Sequence, residues 1–301
     1  MKQHQASRTA EYMAFFRALE SIQPNGLFAD PFAANFLRPS LRRAVQCSRV
    51  PVLLELITRY ADRRLPGART SAVARTKLID DVLLGALGRD MRQIVILGAG
   101  FDCRAYRFPQ LAAATIFEVD HPSTLALKLN GLRKALPEIP GNVRFVKIDF
   151  NQQSLPEELM RAGFNLSSPA MFLWEGVTNY LTPDAVDAVL RYVATCQAGT
   201  QIVFTYIHSG ALDGAVFFEG AERLLRDVAQ LEEPWTFGLH PARVPEFLRE
   251  RGLSLEFDLS ADEYRSRYFG RVAERMRGYG FYHVAVARVP GLSEAVGKPT
   301  V

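Results

Sequence analysis

The stretch Ile94-Val95-Ile96-Leu97-Gly98-Ala99-Gly100 and the later run Phe117-Glu118-Val119-Asp120 decide the fold. The first four residues are apolar, mostly β-branched and do not alternate with polar ones, which predicts a strand buried on both faces of a sheet. The glycines at 98 and 100 allow a tight turn and the close approach of a ligand to the backbone. Asp120 ends the next apolar run about twenty residues later, the distance at which an acid can accept ribose hydroxyls. The segment predicts a site for a nucleoside-bearing cofactor.

The glycine pattern departs from the form that binds a dinucleotide. That form has Gly or Ala three residues after the second glycine, where the following helix packs against the sheet, and this chain has Cys103 there. The departure favours an adenosine cofactor other than NAD. A glycine turn with no ligand remains the alternative, because short motifs of this kind also occur as plain turns.

Composition sets the broad class of the protein. The chain has 301 residues, of which 48% are hydrophobic and 23% charged, so it is long enough for a large core and is not a disordered chain. The length allows one domain or two. The net charge of +4 reads as spread along the chain, without the basic stripe that marks nucleic-acid binding, so we expect no nucleic-acid partner.

Cysteine usage and the N-terminus indicate where the protein works. Cys47, Cys103 and Cys196 are far apart and lack metal-ligand spacing, so we expect reduced core residues and no metal. The first residues lack an apolar signal core, and no apolar run approaches the length of a membrane span. We therefore expect a soluble, cytoplasmic protein with no membrane partner. The oligomeric state stays open.

Element patterns divide the chain at about residue 90. Residues before it have helical periodicity, including a helix from Thr9 to Leu19, one from Val52 to Arg64 and one from Arg69 to Leu87. Asp30 before Pro31 predicts the start of a short helix. Apolar runs that alternate with helical stretches follow at 94–97, 115–119, 143–148, 170–174, 201–207 and 281–287. This alternation predicts a mostly parallel, doubly wound α/β sheet with helices on both faces.

Ligands in such sheets bind at the carboxyl ends of the strands, so the residues that end each run are the candidate site. Besides the glycines and Asp120, these residues are Asp149, Phe150, Glu175, Tyr206 and His208. Three carboxylates at one edge suit a cationic, hydroxyl-rich ligand such as a sulfonium nucleoside, although each alone could be a helix cap. A phosphate-binding loop with Lys and Ser/Thr is missing, which argues against a nucleotide triphosphatase.

The sequence resembles the leucine carboxyl methyltransferase-like family of S-adenosylmethionine-dependent methyltransferases over nearly its whole length. The resemblance lies in Ser7-Arg8-Thr9-Ala10, Leu27-Phe28-Ala29-Asp30-Pro31-Phe32-Ala33, Ala74-Arg75-Thr76-Lys77, Leu97-Gly98-Ala99-Gly100-Phe101-Asp102-Cys103-Arg104-Ala105-Tyr106-Arg107, Phe117-Glu118-Val119-Asp120-His121-Pro122 and Trp174-Glu175-Gly176-Val177-Thr178-Asn179-Tyr180-Leu181. It implies a class I methyltransferase, Rossmann-like sheet that ends in an antiparallel strand, here Phe281 to Arg288. The cofactor would be S-adenosyl-L-methionine, with S-adenosyl-L-homocysteine as the product.

The resemblance also implies roles for single residues. Arg75 would hold the methionine carboxylate, Gly98 and Gly100 would line the methionine portion, and Glu175 would lie near the ammonium. Asp120 would bind the ribose, while Asp149 and Phe150 would frame the adenine. By position alone, Arg75 would be a surface residue of a helix. We expect one domain made of an N-terminal helical cap (1–90), a cofactor-binding core (91–208), a substrate lid (209–252) and C-terminal sheet strands with further lid (253–301).

The expected reaction is O-methylation of a carboxylate or hydroxyl of a small metabolite, such as a natural-product intermediate. A carboxylate acceptor is ionised at neutral pH and needs no base, whereas a hydroxyl needs one within hydrogen-bond reach, for which His208 is the candidate. Tyr180 and Tyr206 could orient the acceptor or only pack. Three alternatives remain: methylation of a protein C-terminal carboxylate, an NAD-dependent oxidoreductase, and a cofactor-binding protein without catalysis.

Overall fold

The computed structural model describes residues 8–149, 153–230 and 234–291. Within these residues seven strands form one sheet. The strands are β1 Gln93–Leu97, β2 Thr115–Asp120, β3 Val143–Lys147, β4 Ala170–Trp174, β5 Gln201–Ile207, β6 Ser254–Ser260 and β7 Tyr282–Arg288. The helices are α1 Arg8–Glu20, α2 Pro39–Cys47, α3 Pro51–Arg64, α4 Ala68–Gly88, α5 Arg104–Arg107, α6 Pro122–Leu132, α7 Leu155–Arg161, α8 Pro183–Ala194, α9 Ser209–Leu212, α10 Ala221–Gln230, α11 Val244–Arg249 and α12 Ala261–Phe269.

The strand order is β3-β2-β1-β4-β5-β7-β6, with the first five strands parallel to one another. Strand β7 runs antiparallel to both β5 and β6. The chain reverses its direction across the sheet between β1 and β4, which is the switch point where ligands bind in such folds. The predicted fold class, a mostly parallel doubly wound sheet with an antiparallel last strand, is confirmed.

Each of the six predicted runs forms a strand, but the edge strand β6 was not among them. Its sequence, Ser-Leu-Glu-Phe-Asp-Leu-Ser, alternates apolar with polar residues, and its residues are half-buried or exposed. Alternation of this kind is typical of a half-buried strand, so the signal was present. The prediction missed it because only continuous apolar runs were taken as strands.

Helices cover both faces of the sheet and bury its central strands. In β1, Val95 and Leu97 face a core that includes helices α7, α8 and α11, while Ile94 and Ile96 face a core that includes α4 and α12. Adjacent residues of a strand point to opposite faces, so burial on both faces requires a continuous apolar run. This requirement explains the sequence of β1.

The N-terminal helices pack around their own core, which Phe15, Phe16 and Leu19 of α1 share with Phe101. The short helix predicted after Asp30 is a single 3-10 turn, Ala33–Phe36. The carboxylate of Asp30 nevertheless caps this turn, accepting the N–H of Ala33 at 3.0 Å, and it pairs with Arg17 at 2.9 Å. No described helix is both long and apolar enough to cross a membrane.

Candidate functional site

The glycine turn after β1 is built around two residues with positive φ, Gly98 at +64° and Gly100 at +39°. A Cβ atom on Gly98 would lie 2.4 Å from Cγ2 of Val177, which follows β4. The turn is held from the other side by β2, because the N–H of Ala99 donates to the carbonyl of Val119 at 3.0 Å. Position 98 therefore requires glycine both for its backbone conformation and for space.

The carboxylate of Asp120 at the end of β2 accepts two backbone N–H groups. Oδ2 accepts from Gly100 at 2.6 Å, and Oδ1 accepts from His121 at 2.6 Å. Burial raises the pKa of this carboxyl above its ordinary value, and the two N–H donors oppose the rise. Asp120 thus joins the glycine turn to the end of β2.

The carboxylate of Glu175 lies between two buried arginines at the end of β4. Oε1 pairs with Nε of Arg75 at 2.8 Å, and Oε2 pairs with Nη1 of Arg104 at 2.9 Å. Burial alone would raise the pKa of Glu175, but the guanidiniums of Arg104 and Arg75 outweigh it and hold the pKa below its ordinary value. Arg75 lies on α4 and is only 6% exposed, so its position-based interpretation as a surface arginine is wrong.

Arg104 extends this ionic cluster behind Glu175. Its Nε pairs with Asp80 of α4 at 2.8 Å, its Nη1 also contacts Asp102, and Arg107 binds the same Asp80. Burial alone would raise the pKa of Asp102, but Arg104 lowers it to about 2. Sequence reasoning assigned no role to these four residues, although three of them lie in the run that carries the family resemblance.

A second buried ion pair contacts the glycine turn. Nζ of Lys128 on α6 lies 2.8 Å from Oε2 of Glu118 in β2, and both side chains are fully buried. The same ammonium donates to the carbonyl of Ala99 at 3.2 Å. No sequence pattern predicts this contact, because a lysine in an amphipathic helix normally faces solvent.

Asp149 lies at the same edge of the sheet as Asp120. The residue before it, Ile148, donates its N–H to the carbonyl of Asp120 at 3.0 Å, and the N–H of Asp149 donates to Gln153 at 2.9 Å. Phe150, the predicted adenine neighbour, lies outside the described residues. The structure therefore brings Gly100, Asp120 and Asp149 together and carries no information on Phe150.

Aromatic side chains surround the other side of Arg75. Its guanidinium lies 4.8 Å from the ring centre of Tyr282, the first residue of β7. The ring of Trp235 is 6.1 Å from that of Tyr282 and 6.4 Å from that of Tyr180, which ends the 3-10 turn Thr178–Tyr180 after β4. Nε1 of Trp235 is buried with no hydrogen-bond partner among the described residues. Tyr180 is thus connected to Arg75 through the rings of Trp235 and Tyr282.

Tyr206 does not take the place expected of a substrate-binding residue. Its side chain is fully buried within β5, its hydroxyl donates to Asp258 of β6, and its ring stacks on His283 with 4.9 Å between centres. The hydroxyl of Tyr206 therefore binds the edge strand β6. Of the two roles considered for Tyr206, to orient the acceptor or only to pack, these contacts favour packing.

His208 follows β5 and caps the short helix α9. Its Nδ1 accepts the N–H of Gly210 at 3.0 Å, and its ring lies 4.9 Å from that of His240. Burial lowers the pKa of His208 below its ordinary value, and His240 and His283 lower it further. The imidazole is therefore neutral at pH 7, and because Nδ1 accepts a hydrogen bond, the proton is on Nε2.

Comparisons with known proteins agree with this geometry. The sequence model of the family described as leucine carboxyl methyltransferase matches residues 10–194, more than half of the chain. A Mycolicibacterium gilvum protein named "Putative S-adenosyl-L-methionine-dependent methyltransferase" is 30% identical over 305 residues, which cover 97% of this chain and 86% of that protein. A Mycobacterium avium protein of the same name is 31% identical over 206 residues, or 68% of this chain and 67% of that protein.

Among solved structures, a DUF574 family protein from Streptomyces avermitilis has a TM-score of 0.58 at 17% identity and covers 91% of this chain and 97% of its own. That likeness shows a shared fold. The fold, the site and the relatives together define an S-adenosyl-L-methionine-dependent methyltransferase. The chain belongs to the leucine carboxyl methyltransferase family. The predicted family, enzyme class and cofactor are confirmed.

The residues at the sheet edge fit this cofactor. It carries a carboxylate, an ammonium, a sulfonium and ribose hydroxyls, and the site offers one arginine and two carboxylates that complement these groups. Gly98 has no side chain, and a Cβ atom at this position would collide with Val177. Among the described residues, no group of three His, Cys, Asp or Glu side chains is arranged to hold a metal ion.

Proposed function

We propose that the protein methylates an oxygen atom of a small metabolite, such as a natural-product intermediate, and that a carboxylate is the preferred acceptor. The observation that carries the proposal is the aromatic surface of Trp235, Tyr180 and Tyr282 beside Arg75. A molecule that reaches the Arg75–Glu175 pair from this side meets rings and an indole N–H that has no partner among the described residues. Such a surface suits an apolar or aromatic acid, since buried indole N–H groups usually bind an acceptor oxygen.

The roles of the cofactor-binding residues belong to the same proposal. Arg75 binds the methionine carboxylate, and Glu175 lies near the ammonium and the sulfonium. Gly98 and Gly100 line the methionine portion. Asp120 accepts the ribose hydroxyls, and Asp149 with Phe150 frames the adenine. Arg104 would keep the carboxylate of Glu175 ionised and oriented while the guanidinium of Arg75 also binds the carboxylate of the cofactor.

The bound cofactor supplies a methyl group on a positively charged sulfur, which is already activated for displacement. The protein then has to align the acceptor oxygen with the methyl group and exclude water. The aromatic side chains serve both purposes, because they position a planar acceptor and remove solvent. A carboxylate acceptor is ionised at neutral pH, so no side chain needs to take a proton from it.

The geometry of His208 supports a carboxylate acceptor over a hydroxyl. Nδ1 already accepts the N–H of Gly210, and in that tautomer Nε2 carries the proton. Neither ring nitrogen then has a free lone pair for the proton of an alcohol or phenol. His208 as a general base remains the second candidate role, and it would require the ring to release Gly210.

The proposed division of the chain follows from this view of the site. Residues 1–90 are a helical cap, residues 91–208 the cofactor-binding core, residues 209–252 a substrate lid, and residues 253–301 the last sheet strands with further lid. Two observations support it. Arg75 comes from the cap and Trp235 from the lid, and both contact Tyr282 of the last strand.

The test is an acceptor screen with S-adenosyl-L-methionine labelled on its methyl group. Each aromatic or alicyclic acid is paired with its own methyl ester and with the matching phenol or alcohol. A methyl ester releases labelled methanol in base, whereas an ether does not. A peptide that ends in leucine is included for the protein carboxyl alternative, and His208→Asn is assayed beside the wild type.

We expect base-labile product from acids only, and a turnover of His208→Asn within about threefold of wild type, because no base is required. A base-stable product that falls by about 100-fold or more in His208→Asn would establish a hydroxyl acceptor with His208 as base. Product on nitrogen, or methylation of the peptide alone, would overturn the proposal.

A further inference from the structure

A groove of about 670 Å³ lies between the N-terminal cap and helix α6, away from the proposed cofactor site. None of Arg75, Gly98, Asp120 and Glu175 lines it. Its volume is in the range of small-molecule binding sites, which is roughly 300–1,000 Å³. Nothing in the proposed methyl transfer uses this groove.

Apolar rings form part of its lining. Phe36 stacks on Phe101 with 4.9 Å between ring centres and 16° between the planes. The edge of Phe36 lies against Gly131 of α6, where a Cβ atom would come within 2.5 Å of the ring. Leu127 of α6 adds a partly exposed apolar side chain. The absence of a side chain at Gly131 therefore lets Phe36 pack closely against α6.

The rim of the groove is positively charged. It carries Arg38, Arg42, Arg43 and Lys134, against the single carboxylate of Glu11. Oε2 of Glu11 lies 3.6 Å from Nε of Arg38, so the charges of these two residues neutralise each other.

The remaining three cations have no carboxylate partner within the described part of the chain. Arg42 is fixed in place because it donates to the carbonyls of Ala34 at 3.1 Å and Asn35 at 2.8 Å. These neutral acceptors leave its positive charge uncompensated. Arg43 and Lys134 are exposed. One cation anchored by hydrogen bonds and two exposed cations thus lie beside an apolar lining.

The rim arginines belong to a segment with a large excess of positive charge. Residues 38–64 hold seven arginines and two acids, a net charge of +5, whereas the whole chain has +4. Positive charge is therefore more concentrated in this segment than in the chain as a whole. A concentrated positive potential beside a groove raises the local concentration of anions.

We propose that this groove binds an amphipathic organic anion, with a carboxylate or phosphate held by Arg42, Arg43 and Lys134 and an apolar chain or ring against Phe36, Phe101 and Leu127. The site is separate from the site of methyl transfer, although one residue of its lining is next to the glycine turn in sequence. Phe101 follows Gly100 directly, and its carbonyl accepts a hydrogen bond from Arg17. The inference does not depend on the proposed acceptor.

The test is calorimetric titration of the full chain with octyl phosphate and octanoate, below their micelle concentrations. Octyl glucoside has the same chain without charge, and inorganic phosphate has the charge without a chain. The double variant Arg43→Glu/Lys134→Glu replaces the two exposed cations of the rim with carboxylates. Arg49→Glu/Arg133→Glu is the matched control, since both of its residues are exposed and neither lines the groove. S-adenosyl-L-methionine binding verifies that each variant is folded.

We expect both anionic amphiphiles to bind to the wild type. In the Arg43→Glu/Lys134→Glu variant their dissociation constants should rise by at least about tenfold, because hydrogen bonds to charged groups are strong. The control variant should stay within about twofold, since distant surface charges are screened by salt. Equal weakening in both variants would reduce the effect to net charge and overturn the proposal. The proposal would also be overturned if neither anionic amphiphile binds, or if octyl glucoside or inorganic phosphate binds as tightly as they do. Binding only to phosphatidylglycerol vesicles would overturn it as well.

Discussion

The end of β2 and the end of β4 each place a carboxylate at the switch point of the sheet, but they hold it in different ways. Asp120 is held by backbone N–H groups, and burial raises its pKa. Glu175 is held by two arginine side chains, and they lower its pKa. One carboxylate is positioned by the main chain and the other by charge.

This difference has consequences for folding and for binding. Asp120 is stabilised mainly by backbone N–H groups, with smaller contributions from Lys128 and Thr124, which favours a ligand that brings its own hydroxyl donors. The arginines neutralise Glu175 before any ligand arrives, so a ligand ammonium has to share it with them. We therefore expect changes around Glu175 to affect mainly stability, and changes at Asp120 to affect mainly cofactor affinity.

The largest effect should come from Arg104→Met. The substitution leaves Glu175, Asp80 and Asp102 with one buried cation fewer, and breaking a buried ion pair in this way costs about 3–5 kcal/mol. We expect that loss in the free energy of unfolding, measured by urea denaturation with circular dichroism. Arg191→Met breaks an exposed pair with Asp187 and is the control, with an expected change of about 0–1 kcal/mol. Equal losses in the two variants would contradict the special role of Arg104.

The same contrast explains which parts of the site the sequence could predict. Gly98, Gly100 and Asp120 lie within one strand–helix–strand unit, so their spacing predicts that they meet. Arg75 and Glu175 are 100 residues apart, and no local pattern predicts that they pair. Arg104 lies in a short polar helix, where arginine normally faces solvent. Local rules therefore predicted the carboxylate held by the backbone, together with the fold, but not the ionic cluster.

A smaller loss of stability should follow from Gly98→Ala, which tests the contact between the two strand ends. The left-handed backbone costs about 1–2 kcal/mol, and the collision with Val177 adds an overpacking term, for a total of about 2–4 kcal/mol. Gly176 has a similar φ of +71° but no atom within 4 Å of a Cβ, so Gly176→Ala should lose only about 1–2 kcal/mol. Urea denaturation of both variants measures the difference. If Gly176→Ala loses as much as Gly98→Ala, the collision with Val177 is not real.

Asp120→Asn should weaken cofactor binding, and it should also cost some stability because the amide NH2 replaces one of the two oxygens that accept backbone N–H groups. An amide cannot accept from the ribose as strongly as a carboxylate, and a hydrogen bond to a charged group contributes about 1.5–3 kcal/mol. We expect the dissociation constant of S-adenosyl-L-methionine, measured by calorimetry, to rise by about 10- to 100-fold. Asp187→Asn changes a carboxylate on α8 that pairs with Arg191 and Arg251, and it should leave the affinity unchanged. An unchanged affinity in Asp120→Asn would remove this residue from the cofactor site.

The smallest effect is a difference in the pH dependence of stability, which has opposite signs at the two strand ends. The pKa of Glu175 is lower in the folded protein than its unfolded value of 4.5, so the unfolded chain binds more protons between these two pKa values. Stability from Glu175 is therefore present above pH 4.5 and is lost as the pH falls through the folded pKa. The pKa of Asp120 is higher in the folded protein than its unfolded value of 3.8, so ionisation of Asp120 reduces stability as the pH rises above 3.8.

Urea denaturation of the wild type, Glu175→Gln and Asp120→Asn between about pH 3 and pH 7 separates these contributions, each at most about 1.4 kcal/mol per pH unit. The stability lost by Glu175→Gln should grow as the pH rises, because the wild type gains a charge that the two arginines stabilise. The stability lost by Asp120→Asn should shrink over the same range, since only the wild type has to ionise a buried carboxyl. Parallel curves for the two variants would mean that the two carboxylates are held alike, and the contrast between main-chain donors and arginines would then have no energetic meaning.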